Sequence, residues 1–172
     1  KRLFLARDRL GVKPLYYYLK GNRFVFASEM KAILEYQGAE RNINLSALNE
    51  FLTYRYVPSE RTLIENLYKL LPGHILTLED GKIQPSKYFD LVENITDEPE
   101  EYYVEKLREL LRKSVKQRLI SDVPLSVYLS GGLDSTCIVA LMSEMTDNIK
   151  TFSVGFGSEG EDELKHARFV SR

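Results

Sequence analysis

Three stretches follow Pro124 without a gap: the apolar run Leu125-Ser126-Val127-Tyr128-Leu129, the small-residue run Ser130-Gly131-Gly132-Leu133-Asp134-Ser135, and a helix-forming run from Thr136 to Met145. A buried strand that feeds a helix through a loop without bulk turns backbone N–H groups toward an anion, and the helix dipole adds to the attraction. Gly131 and Gly132 remove side chains that would block a close approach. Ser130 and Ser135 offer hydroxyl donors. The loop is not a Walker P-loop, because no Gly-Lys-Ser/Thr follows. Asp134 narrows the reading further. A carboxylate beside bound phosphates is repulsive unless a divalent cation lies between them, so the loop implies Mg²⁺. The plainer alternative is a tight glycine turn in which Asp134 only caps the helix.

A second cluster competes for the same role. Gly155-Phe156-Gly157-Ser158-Glu159-Gly160 matches G-x-G-x-x-G, follows the strand-like Thr151–Val154 and precedes a helix. By itself it suggests dinucleotide binding. However, Glu159, Glu161, Asp162 and Glu163 crowd the place where a pyrophosphate would rest. The acidic ribose partner expected about twenty residues further on would also fall beyond Arg172. The cluster therefore reads as a loop.

The first ninety residues alternate short strands with two helices. Strands are expected over 3–6, 15–19 and 23–27, with Gly11 and Pro14 breaking the first connection and Gly21-Asn22 turning the second. Ser28 is a candidate cap for a helix to about Tyr36. A second helix begins after Asn44 or Ser46 and ends near Pro58. Pro72-Gly73 marks a turn, and Asp80-Gly81 between Ile75–Leu78 and Lys82–Tyr88 predicts a type I′ hairpin. Residues 91–101 carry five acids, Pro99 and few large apolar groups, which reads as a linker entering a helix. Val104, Leu107, Leu111, Val115 and Leu119 then recur at helical spacing on a solvated amphipathic helix. Residues 1–90 carry a net charge of +4 and residues 91–172 one of −5, a shift that supports a boundary near 91.

Composition removes whole classes. A net charge of −1 excludes a polycationic nucleic-acid binder. No apolar run approaches the roughly 18 residues of a membrane span. One cysteine allows no internal disulfide and no cysteine-based zinc cluster, which fits a reducing, cytoplasmic setting. Cys137, on the helix behind the loop, reads as a buried apolar cysteine, and His74 and His166, with no partner at ligand spacing, read as structural or exposed residues. Arg7, Asp8 and Arg9 read as ion pairs that stabilise a turn. The chain starts at Lys1 inside an apolar run and stops in an uncapped helix, so a piece of a longer protein is expected.

These stretches together resemble glutamine-dependent asparagine synthetases along nearly the whole chain. The first half carries the resemblance in Ala6 to Tyr17 (ARDRLGVKPLYY), Phe26 to Ala32 (FASEMKA), Tyr56-Val57-Pro58, Arg61-Thr62-Leu63 and Leu71-Pro72-Gly73-His74. The second half carries it in Leu129 to Ser135 and Thr151 to Phe156. The Ser-Gly-Gly loop alone is shared by many ATP-pyrophosphatase-type enzymes, and its combination with the upstream half is far more specific.

The resemblance implies an α+β, Ntn-hydrolase-like sandwich, incomplete, followed by an incomplete α/β domain of the adenine nucleotide α-hydrolase type. Residues 1–90 would be the C-terminal part of a class II glutamine amidotransferase domain, 91–101 a linker, and 102–172 the start of an ATP-dependent synthetase domain. It implies ATP and Mg²⁺, with aspartate and glutamine as the other small-molecule substrates, and leaves a homodimer of the parent protein open. By analogy Ser130, Gly131, Gly132, Asp134 and Ser135 hold pyrophosphate and metal, with Asp134 the metal ligand, while Leu129 and Val154 border the adenosine. The family's glutaminase nucleophile is an N-terminal Cys; this chain begins with Lys1, so no catalytic residue is expected within it. No glutaminase activity and no asparagine formation are expected from the chain alone, and uncovered sheet edges predict that it self-associates. The alternatives are another adenylating amidotransferase, such as a β-lactam synthetase relative, or a non-catalytic ATP-binding remnant.

Overall fold

The computed structural model describes the backbone of residues 1–155 and 161–171. The chain divides into two compact units, Lys1–Asn94 and Ile95–Arg172, and is mixed α and β. Among the described residues no helix is long and apolar enough to cross a membrane.

The first unit is built on two antiparallel three-stranded sheets. Strand β1 (Arg2–Ala6) pairs with β5 (His74–Glu79), and β5 with β6 (Lys82–Lys87). Strand β2 (Tyr16–Lys20) lies between β3 (Arg23–Ala27) and β4 (Leu67–Lys69). The β5–β6 register closes with Glu79 opposite Lys82, so Asp80-Gly81 is a two-residue loop. Its φ values of 51° and 75° are those of the expected type I′ turn. Pro85 has no N–H to give and belongs to β6, an edge strand, where that costs no ladder bond.

Alternation along β2 builds both layers of the core. Tyr17 turns one way, into a cluster with Leu3, Leu5, Leu15, Phe24, Leu70, Leu76 and Ile83 drawn from both sheets. Tyr18 turns the other way, fully buried with Ile33 and Leu67 and packed against Leu34 and Ile64. Ile33 comes from helix α1 (Met30–Leu34), which covers the outer face of the β3-β2-β4 sheet. Tyr17 also stacks on Phe24 and Tyr68, with ring centroids 5.9 and 5.3 Å apart. Burial of each such side chain contributes about 1.5–3 kcal/mol, so these clusters dominate the stability of this unit.

One expected boundary moves, one choice of cap is settled and one strand is new. α1 starts after Glu29, without a side-chain cap, so Ser28 does not cap it. Helix α2 (Leu45–Tyr54) takes the first of its two candidate caps: Asn44 Oδ1 accepts the Ala47 amide at 3.1 Å. Strand β4 was not expected from the sequence; it is only three residues long and is positioned by Asn66 in the left-handed region.

In the second unit, helix α3 (Glu100–Arg118) begins inside the expected linker, with Glu100 and Glu101 in its first turn where the dipole favours acids. Strand β7 (Ser126–Tyr128) runs parallel to β8 (Lys150–Phe152), connected through helix α4 (Leu133–Ser143). Helix α5 spans Glu161–Val170. Arg112 of α3 grips Glu144, the C-cap of α4, through two bonds of 2.9 and 3.1 Å. Leu129, Val139 and Ala167 form the core of this unit, with Val127 and Val170 packed against it.

Candidate functional site

The pairing of β7 with β8 continues past the strand ends. The Leu129 amide donates to the Phe152 carbonyl at 2.8 Å, and the Ser153 hydroxyl donates to the Leu129 carbonyl at 2.6 Å. The loop leaving Leu129 therefore opens at the carboxyl ends of two parallel strands held side by side, where open α/β sheets bind their ligands. Ser153 was not singled out in the sequence; its role depends on a partner 24 residues away.

The loop is organised by its own hydroxyls. Ser130 Oγ and Ser135 Oγ lie 3.0 Å apart. Ser135 Oγ also accepts the Ser130 amide at 3.3 Å and donates to the Gly132 carbonyl at 3.2 Å. Ser130 Oγ accepts the Gly132 amide at 3.3 Å.

Helix α4 starts earlier than expected, at Leu133, with Gly132 as an N-cap that offers no side-chain bond. Its first turn closes with the Thr136 amide on the Gly132 carbonyl at 3.0 Å. The amides of Leu133, Asp134 and Ser135 precede that bond and stand open at the positive end of the helix. Asp134 is thus a first-turn residue and not the cap.

The two glycines meet different surroundings. Gly131 has φ 78°, and a Cβ there would lie 2.5 Å from His166 Cβ and 2.6 Å from the Ala167 amide nitrogen. Its missing side chain makes room for α5. Among the described residues a Cβ on Gly132 would meet only Ser130 Oγ, at 3.3 Å, so none of them fills this position. Gly155 differs from Gly131: a Cβ there would lie 2.4 Å from Leu164 Cδ1 of α5, the end of a side chain that can turn aside. The first glycine of the G-x-G-x-x-G stretch thus abuts the Leu164 side chain of α5, while residues 156–160 lie outside the described ones.

Leu129 is 1 % exposed, its side chain in the core, so a ligand beside it meets main chain; Val154 is 57 % exposed. Among the described residues no group of three or more His, Cys, Asp or Glu could hold a metal ion. Asp134 is a lone exposed carboxylate. That suits Mg²⁺, which keeps its waters and is bound by one or two carboxylates together with phosphate oxygens, and does not suit an all-protein cage. Open amides, an unfilled cradle at Gly132 and one acid fit a magnesium-nucleotide.

The remaining candidates sit elsewhere. Cys137 is exposed and not buried as expected, because α4 turns Val139 and Met142 inward in its place. The His74 ring Nδ1 bonds to the Pro72 carbonyl at 2.8 Å. Arg7, Asp8 and Arg9 form no ion pair: Arg7 and Asp8 bond main-chain groups, and the Arg9 guanidinium lies 5.2 Å over the Phe89 ring. The amides of Lys13 and then Val12 hold the Asp8 carboxyl below the usual aspartate range.

Residues 1–89 match the glutamine amidotransferase domain family, and residues 106–172 match the asparagine synthase family. A glutamine amidotransferase half is thus followed by an asparagine synthase half in one chain. The chain belongs to the glutamine-hydrolysing asparagine synthetase family. It is 38 % identical to a putative glutamine-hydrolysing asparagine synthetase of Methanocaldococcus jannaschii, over 98 % of this chain and 34 % of the relative. It is 36 % identical to glutamine-hydrolysing asparagine synthetase 1 of Bacillus subtilis, over 96 % of this chain and 26 % of that protein. It is also 31 % identical to amidase chyE of Penicillium rubens, over 96 % of this chain and 27 % of the amidase. The chain thus spans about a third or less of these relatives.

Proposed function

We propose that this chain contributes the nucleotide-loop half-site of an enzyme that amidates aspartate with ATP and with ammonia drawn from glutamine. The observation that carries the reading is the Ser130–Ser135 loop, open at the carboxyl ends of two parallel strands, with free amides at the start of α4. Residues 1–90 are then the C-terminal part of an Ntn-hydrolase-like glutamine amidotransferase domain. Residues 91–101 connect it to the start of an adenine nucleotide α-hydrolase-like synthetase domain at 102–172.

In this reading the substrate carboxylate attacks the α-phosphorus of ATP, β-aspartyl-AMP forms and pyrophosphate leaves; ammonia then displaces AMP. The amides of Leu133, Asp134 and Ser135 donate to the departing pyrophosphate, and the Ser130 and Ser135 hydroxyls, which bond within the loop when it is empty, turn to donate to it as well, stabilising charge where it develops. Gly132 lets a phosphate come close. The Leu129 main chain and the Val154 side chain border the adenosine. Mg²⁺, when bound, acts as a Lewis acid on the phosphates and removes their repulsion from Asp134. The parent protein acts on small molecules, as a monomer or a homodimer.

Calorimetric titration of the chain with MgATP and with magnesium pyrophosphate tests the half-site. Both should bind, and Asp134→Asn should weaken binding in Mg²⁺ far more than in EDTA. Equal affinities for wild type and variant in Mg²⁺ would refute the metal role, and no binding of either ligand would refute the site. The likeness to amidase chyE favours one second reading, in which the adenylated carboxylate belongs to an acceptor other than aspartate. Product analysis of the full-length protein with aspartate, ATP and ammonia separates the two, since only aspartate amidation yields AMP and asparagine together.

A further inference from the structure

Gly131 is bare on the side that meets α5, and what it meets there is His166. A Cβ on Gly131 would lie 2.5 Å from His166 Cβ, so the base of this side chain rests against the main chain of the loop. Helix geometry brings no other basic residue of α5 to that place. Ala167 is buried in the core, and successive residues stand about 100° apart around a helix. His166 and Arg168 therefore occupy opposite flanks of α5, and Lys165 the side away from the core. The flank that touches the loop is that of His166.

The run of the same helix sets which way the imidazole leans. α5 begins level with the carboxyl ends of the strands: Leu164 Cδ1 lies 2.4 Å from where a Cβ on Gly155 would be, and Gly155 follows the last residue of β8 by three positions. The helix then returns along the strands, and by Val170 it lines a cavity together with Thr151, inside β8. Helical side chains tilt toward the N-terminus of their own helix. The His166 ring therefore leans toward the carboxyl ends of β7 and β8, where the loop opens. It is exposed, and it forms no hydrogen bond or ion pair among the described residues, not even with Glu163, three positions earlier and exposed on the same flank. An imidazole, neutral or charged, carries at least one N–H. That donor is unspent.

We propose that His166 contacts the phosphates held by the loop: a ring N–H donates to a terminal phosphate oxygen from the α5 side, while the first-turn amides of α4 donate from theirs. The proposal rests on the nucleotide-binding reading given above, and adds to it a side chain from outside the Ser130–Ser135 stretch. Pyrophosphate offers more acceptor oxygens than the helix amides and loop hydroxyls can fill, and N–H bonds to phosphate oxygens are the strong, charge-assisted kind. The missing side chain at Gly131 thereby has a second consequence: it lets α5 come close enough to take part in the site.

The test uses the full-length protein with His166→Ala and with His166→Gln, which keeps an N–H donor. Calorimetric titration with magnesium pyrophosphate should show an affinity about tenfold lower in His166→Ala, as for the loss of one hydrogen bond to a charged group. His166→Gln should recover part of it, and the urea midpoint of both variants should stay at the wild-type value. In the nitrogen NMR spectrum of histidine-labelled wild type, magnesium pyrophosphate should shift the His166 ring nitrogens and leave those of His74 in place. Wild-type affinity in His166→Ala would overturn the contact and leave the function of the loop standing, as would His166 resonances that do not move when the site is saturated. A fall in affinity matched by a lower urea midpoint, and not recovered in His166→Gln, marks mere packing against Gly131 and would overturn the contact too. If the wild type binds neither magnesium pyrophosphate nor MgATP, the proposed function fails and the contact fails with it.

Discussion

Replacing Gly131 and Gly132 by alanine, one at a time, separates a glycine demanded by packing from one demanded by a ligand. At Gly131 the φ of 78° costs an L-residue about 1–2 kcal/mol. The added Cβ would also fall 2.5–2.8 Å from three atoms of His166 and Ala167, one the His166 Cβ and two of them backbone. No rotamer change relieves that, so α5 must shift, and overpacking of this kind costs about 1–3 kcal/mol. Gly131→Ala should therefore destabilise the second unit by about 2–5 kcal/mol, a large share of the 5–15 kcal/mol typical of a domain. Gly132, at φ −74° and ψ 165°, already has a conformation any residue adopts. Its new Cβ would press only on Ser130 Oγ, the end of a side chain. The chain-entropy gain of about 0.4–1 kcal/mol for Gly→Ala at a compatible site offsets that contact, leaving stability within about 0.5 kcal/mol of wild type. Urea unfolding followed by far-UV circular dichroism gives the stabilities, and calorimetric titration gives MgATP affinity. Gly131→Ala should lose stability, and Gly132→Ala should keep it while losing affinity. Equal stabilities for the two variants would refute the packing account, and an unchanged MgATP affinity in Gly132→Ala would refute the open-cradle account.

Two further outcomes follow from the first unit. Thr62 is buried; its hydroxyl donates to the Leu67 carbonyl at 2.8 Å and accepts the Ile64 amide at 3.2 Å. Thr62→Val keeps the shape and strands both main-chain groups, so denaturant unfolding should show a loss of about 1–3 kcal/mol. The Asp8 carboxyl is held below its ordinary value of 3.8, first by the Lys13 amide and then by that of Val12. A depressed carboxylate stabilises the fold above its unfolded value, and that contribution fades as pH falls through the folded one. Acid titration of the melting temperature should therefore show a smaller drop below pH 3.8 in Asp8→Asn than in wild type, from a lower plateau at neutral pH.

Much of this molecule is legible from local rules. The hairpin at Asp80-Gly81, the Asn44 cap and the amphipathic α3 each follow from interactions between residues a few positions apart, and such short-range chemistry survives in a bare string of letters. The Ser-Gly-Gly loop was legible for the same reason: strand, small residues and helix are contiguous. Helix α4 nevertheless begins at Leu133 and not Thr136, because Gly132 can cap without a side chain and the first-turn amides are left open. Strand β4 escaped notice because Leu67-Tyr68-Lys69 is too short to show a period, and becomes a strand only by pairing with β2.

The sequence by itself determined most of the strands and helices, where the chain changes character near residue 91, and that a small-residue loop joins a strand to a helix after Leu129. These depend on periodicity, turn chemistry and small residues, all local. Tertiary structure alone decided that Gly131 belongs to α5, that Ser153 ties the two strand ends, and that the turns at Arg7 and Gly73 grip Tyr88 and Phe89. Those contacts join residues from 15 to 81 positions apart. Pairings that distant are set by how faces pack and strands align, a property of the whole folded chain that no window of neighbouring residues contains.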